Sequence, residues 1–126
     1  VSPQHGMVTT QSHDAPQLAR AIHLARNGGP GFRVAQGVQE VTYYHLMFER
    51  HEVIIADGAP SESFYPGPMA LRALGSAEQR EIAHLFPELL TSESAVTYGP
   101  TARRVLKRQE LTRDTAARFE PKRAFA

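Results

Sequence analysis

Residues 43–58 read YYHLMFERHEVIIADG, and this run carries the clearest secondary-structure pattern in the chain. Residues 41–48 place aromatic, β-branched and other apolar side chains at both odd and even positions, which predicts a strand buried on both faces. Residues 51–56 (HEVIIA) resume the extended pattern. Asp57 and Gly58 then supply the positive backbone angles that a tight hairpin turn requires. The pattern therefore predicts a β-meander over residues 38–65.

Two shorter elements are predicted upstream of the meander. Residues 6–10 (GMVTT) are typical of a short strand, and residues 16–26 predict a helix because their apolar side chains recur at helical spacing. The run of Asn, Gly and Pro at 27–31 cannot continue a helix and marks a turn or loop.

The sequence changes character near Pro66, after which helix-forming residues dominate. Three helices are predicted in this part, over residues 68–74, 76–86 and 101–119. We therefore expect a mainly β fold with a helical C-terminal part. The expected organisation is a β-rich unit over residues 1–66 and a helical extension over residues 67–126 that packs on it.

Composition excludes several classes of protein. The 126 residues suit one domain; 41% are hydrophobic and 21% charged, which fits neither a disordered nor a membrane protein. No apolar run approaches the roughly 18 residues of a membrane span, so no membrane partner is expected. The formal charge of +1 gives no field that would gather nucleic acid, and Glu110 and Asp114 interrupt the one basic helix. The chain has no cysteine, which excludes a disulfide framework, a thiolate metal site and a cysteine nucleophile within these residues. It begins with Val, so we expect it to belong to a longer polypeptide.

Histidines are the best candidates for acid–base chemistry, because they titrate near neutral pH. His5 follows Ser2 by three residues, so both side chains can address one peptide bond across a turn; the alternative is a structural histidine. His45 lies inside the predicted strand, where the alternative is a core histidine bonded to a neighbouring carbonyl. His51 opens the next strand, where the alternative is a solvated hairpin residue.

Neither a metal site nor a cofactor site is predicted. His45 and His51 are not separated by the two residues that place ligands on one strand face, and no carboxylate accompanies them in a recognised pattern. Residues 61–63 (SES) lack the glycine frame of a nucleophile elbow. They are predicted to form a loop that caps and hydrogen-bonds.

Two separated motifs together resemble the Hedgehog/intein (Hint) domain, and most closely its bacterial members. The first is residues 1–5 (VSPQH), and the second is residues 43–58 followed by 61–67 (SESFYPG). The resemblance continues through the helical part, at 70–75 (ALRALG) and 85–89 (LFPEL). It implies an all-β, horseshoe-like domain that attacks the peptide bond at its own N-terminal boundary. The attacking group in such a domain is a Cys or Ser, and the product is a thioester or an ester.

The resemblance also implies that this chain is the distal part of the domain. Residues 1–5 look like the family's Thr-x-x-His motif, with Ser2 in the Thr place and His5 in the His place. The nucleophile would then lie upstream of Val1. By this resemblance His5 protonates the departing amide nitrogen and helps to twist the scissile bond, while the Ser2 hydroxyl steadies that geometry.

The remaining catalytic candidates implied by the resemblance are His45 and His51. His51 stands where the family often has a His. His45 stands where inteins often have an Asp, which is a departure, although a histidine there can still shuttle a proton. Inteins that also cut their C-terminal boundary end with His-Asn, whereas residues 59–63 read APSES. Asparagine cyclisation is therefore not expected, and N-terminal cleavage in the Hedgehog manner remains.

The implied partners are the upstream half of the same Hint domain and the N-terminal flanking polypeptide, in the context of a larger secreted bacterial protein. The sequence leaves the oligomeric state open. Two other hypotheses also stay open. One is a degenerate, non-processing Hint fold kept as a rigid module in a larger secreted protein. The other is an unrelated small α+β binding domain.

The relative placement of the two strand histidines depends on the connection between their strands. If residues 49 and 50 form a two-residue turn, His45 and His51 lie on opposite faces of the ladder. A bulge or a wider loop shifts the register by one and lets both face His5. Because joint catalysis requires the second geometry, we expect a bulge or widened loop over residues 48–51. We also expect one of the two, His51 before His45, within about 8 Å of His5.

Overall fold

The computed structural model of the protein describes residues 1–9, 15–90 and 98–117. The strands of this part are β1 (Gly6–Thr9), β2 (Gln17–Arg20), β3 (Val53–Ala56) and β4 (Ala59–Glu62). They form one antiparallel sheet in the order β2-β1-β4-β3, and helices accompany it. The predicted class, a mainly β fragment with a helical C-terminal part, is confirmed.

The β3–β4 hairpin forms where the sequence predicts it. Asp57 (φ 51°) and Gly58 (φ 77°) both adopt positive φ, as a type I′ turn requires. The second strand of this hairpin, β4, also pairs with β1, with Met7 opposite Ser61. This pairing brings the first residue of β1 beside the last residue of β4, which creates the site described below.

The predicted helix over residues 16–26 is only partly correct, because its first half is strand β2 and only Ala21–Arg26 is helical (α1). Leu18 explains the difference. One side of β2 pairs with β1, and on the other side Leu18 N–H donates to the Arg104 carbonyl while the Leu106 N–H donates to the Leu18 carbonyl, both at 2.8 Å. These partners are distant in sequence, so a local helical pattern does not reveal them.

Two helices of the C-terminal part form as predicted: α2 (Pro68–Ala73) and α3 (Ser76–Leu85). A short 3-10 helix, Pro87–Leu90, follows α3 and begins at a proline, which has no N–H to continue the preceding helix.

The predicted third helix, over residues 101–119, is wrong over most of its length. Residues 101–107 are not helical, because Val105 forms a parallel bridge with Leu18 at the edge of β2. Helical structure returns only in a 3-10 turn at Arg108–Glu110 and in α4 (Arg113–Ala117). The end of the predicted helix, like residue 10 of the predicted first strand, lies outside the described residues.

Residues 41–48 do not form the predicted buried strand. Most of their large side chains are exposed, Tyr44 by 90%, and a hydrogen bond from the Phe64 N–H to the Leu46 carbonyl at 2.7 Å holds the segment. A sequence of high β propensity becomes a strand where neighbouring strands pair with it and cover it, and no strand among the described residues does so. Because residues 41–48 are not a strand, neither the predicted bulge or widened loop over residues 48–51 nor its alternative, a two-residue turn, forms as a connection between paired strands.

The core joins the sheet, α1 and the C-terminal residues. Its buried members are Met7, Ala19, Ala21, Leu24, Leu106, Leu111 and Ala116. Helices α2 and α3 contain no buried residue. Residues beyond 98 therefore complete a core that the N-terminal strands begin, while the predicted division at residue 66 stays a prediction. Among the described residues, no helix is both long enough and apolar enough to cross a membrane.

Candidate functional site

Ser2 and His5 are the first and last residues of a turn that precedes β1. The His5 N–H donates to the Ser2 carbonyl at 3.0 Å, which closes a four-residue turn directly before β1. The Ser2 hydroxyl accepts a long hydrogen bond, 3.4 Å, from the Gln4 N–H. A serine that accepts from the amide two residues later stabilises such turns. The predicted turn between Ser2 and His5 is therefore present, while the joint action of their side chains stays a prediction.

The other three carbonyl groups of this turn, those of residues 3–5, are held by the end of β2 and the start of α1. The three bonds run from Ile22 N–H to the Pro3 carbonyl (3.0 Å), from the Arg20 guanidinium to the Gln4 carbonyl (2.6 Å) and from Ala21 N–H to the His5 carbonyl (2.9 Å). The first amides of a helix have no partner within the helix, so they are free to bind another segment. The backbone that carries His5 is therefore fixed before any substrate arrives.

Glu62 is the buried acid of the site. One oxygen, Oε1, accepts the Gly6 N–H at 2.6 Å and lies 3.2 Å from Arg20 Nη1. The other oxygen, Oε2, lies 3.3 Å from His51 Nε2. This approach depends on Gly6, because a Cβ at that position would lie 2.7 Å from the Glu62 carboxyl carbon.

Burial alone would raise the pKa of Glu62. The hydrogen bonds from His51 and from the Gly6 amide, together with the Arg20 charge, outweigh this effect and hold the pKa of Glu62 below its ordinary value. The carboxyl group is therefore ionised at neutral pH.

His5 is half-buried, and its burial is the largest effect on its titration: it lowers the pKa of His5 below the ordinary value of 6.5. The Glu62 carboxylate raises this pKa, and the positive charges of the Val1 amino group, His45 and Arg20 lower it. His5 is therefore a neutral imidazole at neutral pH, able to accept a proton.

His51 is enclosed by the protein, with a side chain that is 0% exposed. Its Nδ1 accepts the Ala102 N–H at 2.8 Å, so the hydrogen of the ring lies on Nε2. Nε2 faces the Ser63 carbonyl at 3.1 Å and Glu62 Oε2 at 3.3 Å. The alternative of a solvated hairpin residue is therefore wrong for His51.

His45 is exposed, and its ring lies 5.0 Å from that of Phe64. The alternative of a core histidine is therefore wrong for His45. Its charge is nevertheless among those that lower the pKa of His5, so it belongs to the surroundings of the turn. Among the described residues, no three histidines or carboxylates gather as a group that could hold a metal ion.

Residues 98–106 contact the site through hydrogen bonds. In addition to the Ala102 N–H bond to His51, the Tyr98 hydroxyl donates to the Phe48 carbonyl at 2.8 Å. The Tyr65 hydroxyl donates to the Gly99 carbonyl at 2.7 Å. This segment therefore orients His51 and also anchors the end of the exposed stretch at residue 48.

Sequence reasoning missed Glu62, Arg20 and the Ala102 amide as parts of the site. Residues 61 and 62 belong to β4, so the loop predicted over 61–63 is wrong for them. One signal for Glu62 was available. The turn at residues 57 and 58 sets the hairpin register and places Glu62 opposite Val53 of the apolar strand β3, and a carboxylate that is buried there needs polar partners.

The sheet thus holds a Ser-x-x-His turn, which ends at His5, next to the buried carboxylate of Glu62. Comparison with protein families identifies the class: the model described as "Hint domain" matches residues 1–68, and the chain belongs to this family. This match excludes the hypothesis of an unrelated α+β binding domain. Comparisons with curated proteins and with solved structures give no match. The match contains the turn, His45, His51 and Glu62, whereas the Ala102 amide lies beyond it.

Proposed function

We propose that this chain is the distal part of a bacterial Hint domain that cleaves the peptide bond at its own N-terminal boundary, with the nucleophile upstream of Val1. Membership of the Hint family supports the proposal. The observation that carries it is the turn at residues 2–5, whose carbonyl groups and following amide are all bound. Fixing a catalytic group in advance is what a positioned acid or base requires.

His5 is proposed to move the proton of the reaction. As a neutral imidazole it takes the hydrogen from the upstream Cys thiol or Ser hydroxyl while that sulfur or oxygen attacks the carbonyl carbon of the scissile bond. It then delivers the hydrogen to the amide nitrogen as the carbon–nitrogen bond breaks. The products are a thioester or an ester and a free amine, so atoms and charge balance. Ser2 stabilises the turn, and His45 and His51 complete the proposed set of site residues.

The proposed partners are the upstream half of the same domain and the N-terminal flanking polypeptide. Support comes from the large apolar side chains that residues 34–48 expose, including Val34, Val41, Tyr44 and Leu46. Apolar side chains exposed in such a group mark an interaction surface. We propose that the upstream half covers this stretch and supplies the strand pairing that its sequence predicts.

The test uses the longest natural polypeptide that contains this chain, purified and treated with hydroxylamine. Hydroxylamine cleaves thioesters and esters, so the proposal expects two fragments whose masses place the cut at the N-terminal boundary of the domain. A polypeptide that stays intact would support the alternative function, a non-processing Hint module in a larger secreted protein.

A further inference from the structure

We propose that Glu62 is a positioning residue for His5, and that His51 acts on the site through Glu62 and does not touch the substrate. The consequence for catalysis rests on the proposed cleavage reaction. The arrangement itself is testable without that reaction.

Glu62 and Arg20 together hold both peptide groups that flank His5. Arg20 binds the Gln4 carbonyl, which belongs to the peptide bond before His5, at 2.6 Å. Glu62 binds the Gly6 N–H, which belongs to the peptide bond after His5, also at 2.6 Å. The two side chains form an ion pair with each other at 3.2 Å. One ion pair therefore fixes the backbone of His5 on both sides, and with it the direction in which the imidazole leaves the chain.

His51 is the third side chain of this arrangement, and it contacts the carboxylate oxygen of Glu62 that Gly6 and Arg20 do not bind. Both of its ring nitrogens have protein partners and its side chain has no exposed surface, so it cannot reach a substrate in this arrangement. Its Nε2 hydrogen lies between two acceptors, the Ser63 carbonyl at 3.1 Å and the second oxygen of Glu62 at 3.3 Å, so it also favours the negative charge of the buried carboxylate. The Ala102 N–H fixes this hydrogen on Nε2 by occupying Nδ1. A chain of polar contacts thus runs from the Ala102 amide through His51 and Glu62 to the amide after His5.

The charges that face His5 come from four groups: Glu62 on β4, Arg20 on β2, His45 in the exposed stretch, and the Val1 amino group. Of these, only the Glu62 carboxylate raises the pKa of His5. Removal of its charge therefore leaves only effects that lower this pKa. A purely structural glutamate far from His5 would not alter the titration.

The first experiment follows the histidine ring signals of the 126-residue chain by NMR as the pH is varied. In Glu62→Gln we expect His5 to titrate at a lower pH than in the wild type. Glu110→Gln is the matched control, because that exposed carboxylate binds Lys107 N–H and Arg104 instead. The nitrogen shifts of His51 should show its single hydrogen on Nε2. An unchanged His5 titration in a folded Glu62→Gln chain, or a His51 hydrogen on Nδ1, would overturn the proposal.

A second variant covers the case in which Glu62→Gln does not fold. Gly6→Ala leaves the glutamate in place, but its new Cβ must push the carboxylate away, since the two would otherwise lie 2.7 Å apart. The same fall in the pH of His5 titration is expected. A titration equal to that of the wild type would contradict the assignment.

The final experiment measures cleavage in the longest natural polypeptide. Glu62→Gln should slow cleavage about tenfold and move the acid limb of the pH–rate profile to lower pH. His51→Gln should slow it less, and the double variant should be no slower than Glu62→Gln alone, because His51 acts through Glu62. Additive losses would overturn the role of His51. If the wild-type polypeptide does not cleave itself, the cleavage proposal fails, while the NMR titration still decides whether Glu62 positions His5.

Discussion

Gly6 and Glu62 meet so closely that no other residue can stand at position 6 without displacing the carboxylate. The Gly6 amide and Glu62 Oε1 are 2.6 Å apart, and an added Cβ would lie 2.7 Å from the carboxyl carbon. Residues 56 positions apart in the sequence thus share a single buried hydrogen bond. The glycine is needed here for close approach and not for a left-handed backbone angle.

Gly6→Ala should therefore destabilise the fold, although replacing Gly by Ala commonly stabilises a protein by restricting the unfolded chain. We expect the free energy of unfolding to fall by about 1–3 kcal/mol, the range for a buried hydrogen bond to a charged group. Urea denaturation measures it. Gly67→Ala is the control, because a Cβ there would meet its nearest neighbour, the Tyr65 ring, at an ordinary 3.5 Å. Equal effects of the two substitutions would contradict the crowding argument.

The stability of the chain should fall in acid partly through Glu62. The pKa of Glu62 is lowered in the folded state, so its contribution is fully present above the ordinary value of 4.5 and is lost as the pH falls through the folded value. Glu62→Gln should therefore give a flatter curve of unfolding free energy below pH 4.5. Urea denaturation at a series of pH values tests this. The Lys107 amide and Arg104 also lower the pKa of Glu110, but solvent screens these contacts, so Glu110→Gln should flatten the curve less than Glu62→Gln. Identical slopes for the two variants would contradict the larger contribution assigned to Glu62.

The parts of the fold that follow from local chemistry were predictable. Asp57 and Gly58 predict their turn because only certain residues accept positive φ, and the turn fixes the register of the hairpin around it. The turn at Ser2 and His5 also follows from neighbouring residues. Residues 41–48 show the opposite case, because a strand needs a partner and the sequence of one segment does not reveal whether that partner covers it.

The site was only half predictable for the same reason. His5 and His51 are recognisable as candidates from their residue type and their place in two motifs. The contacts that give them their roles span 56 residues for Gly6 and Glu62, and 51 residues for His51 and Ala102. Such contacts depend on how the strands and the C-terminal segment pack. Glu62, Arg20 and the Ala102 amide therefore emerge only from the structure.

Leu106→Ala should show that the C-terminal residues belong to the same core as the sheet. Leu106 is 3% exposed and packs in the cluster that contains Met7, Ala19 and Leu24. Removing a buried leucine side chain leaves a cavity, so the free energy of unfolding should fall by about 2–5 kcal/mol in urea denaturation. Leu85→Ala, at a leucine that is 61% exposed, should change it by less than about 0.5 kcal/mol. A small effect of Leu106→Ala would show that the C-terminal residues do not belong to the core of the sheet.

The 126-residue chain alone should not turn over peptides. The described serines and threonines lack an adjacent base in a recognised nucleophile arrangement, and His51 is bound on both nitrogens. Incubation with a peptide library, followed by mass spectrometry, should show no cleavage above the background of a His5→Ala chain. Steady turnover by the wild-type chain and not by the variant would place a nucleophile within these residues and contradict the upstream assignment.

His5→Ala should slow cleavage of the longest natural polypeptide by about 10²-fold or more, because a positioned acid or base contributes on that scale. Ser2→Ala should slow it only about fivefold, since a hydroxyl that stabilises the turn contributes about one hydrogen bond, ~1 kcal/mol. Gel electrophoresis and mass spectrometry of timed samples give both rates. His84→Ala is the control, because His84 is exposed on α3, and it should cleave at the wild-type rate. If His5→Ala cleaves at the rate of this control, His5 has only a structural role. The bound turn then serves the fold and not the reaction.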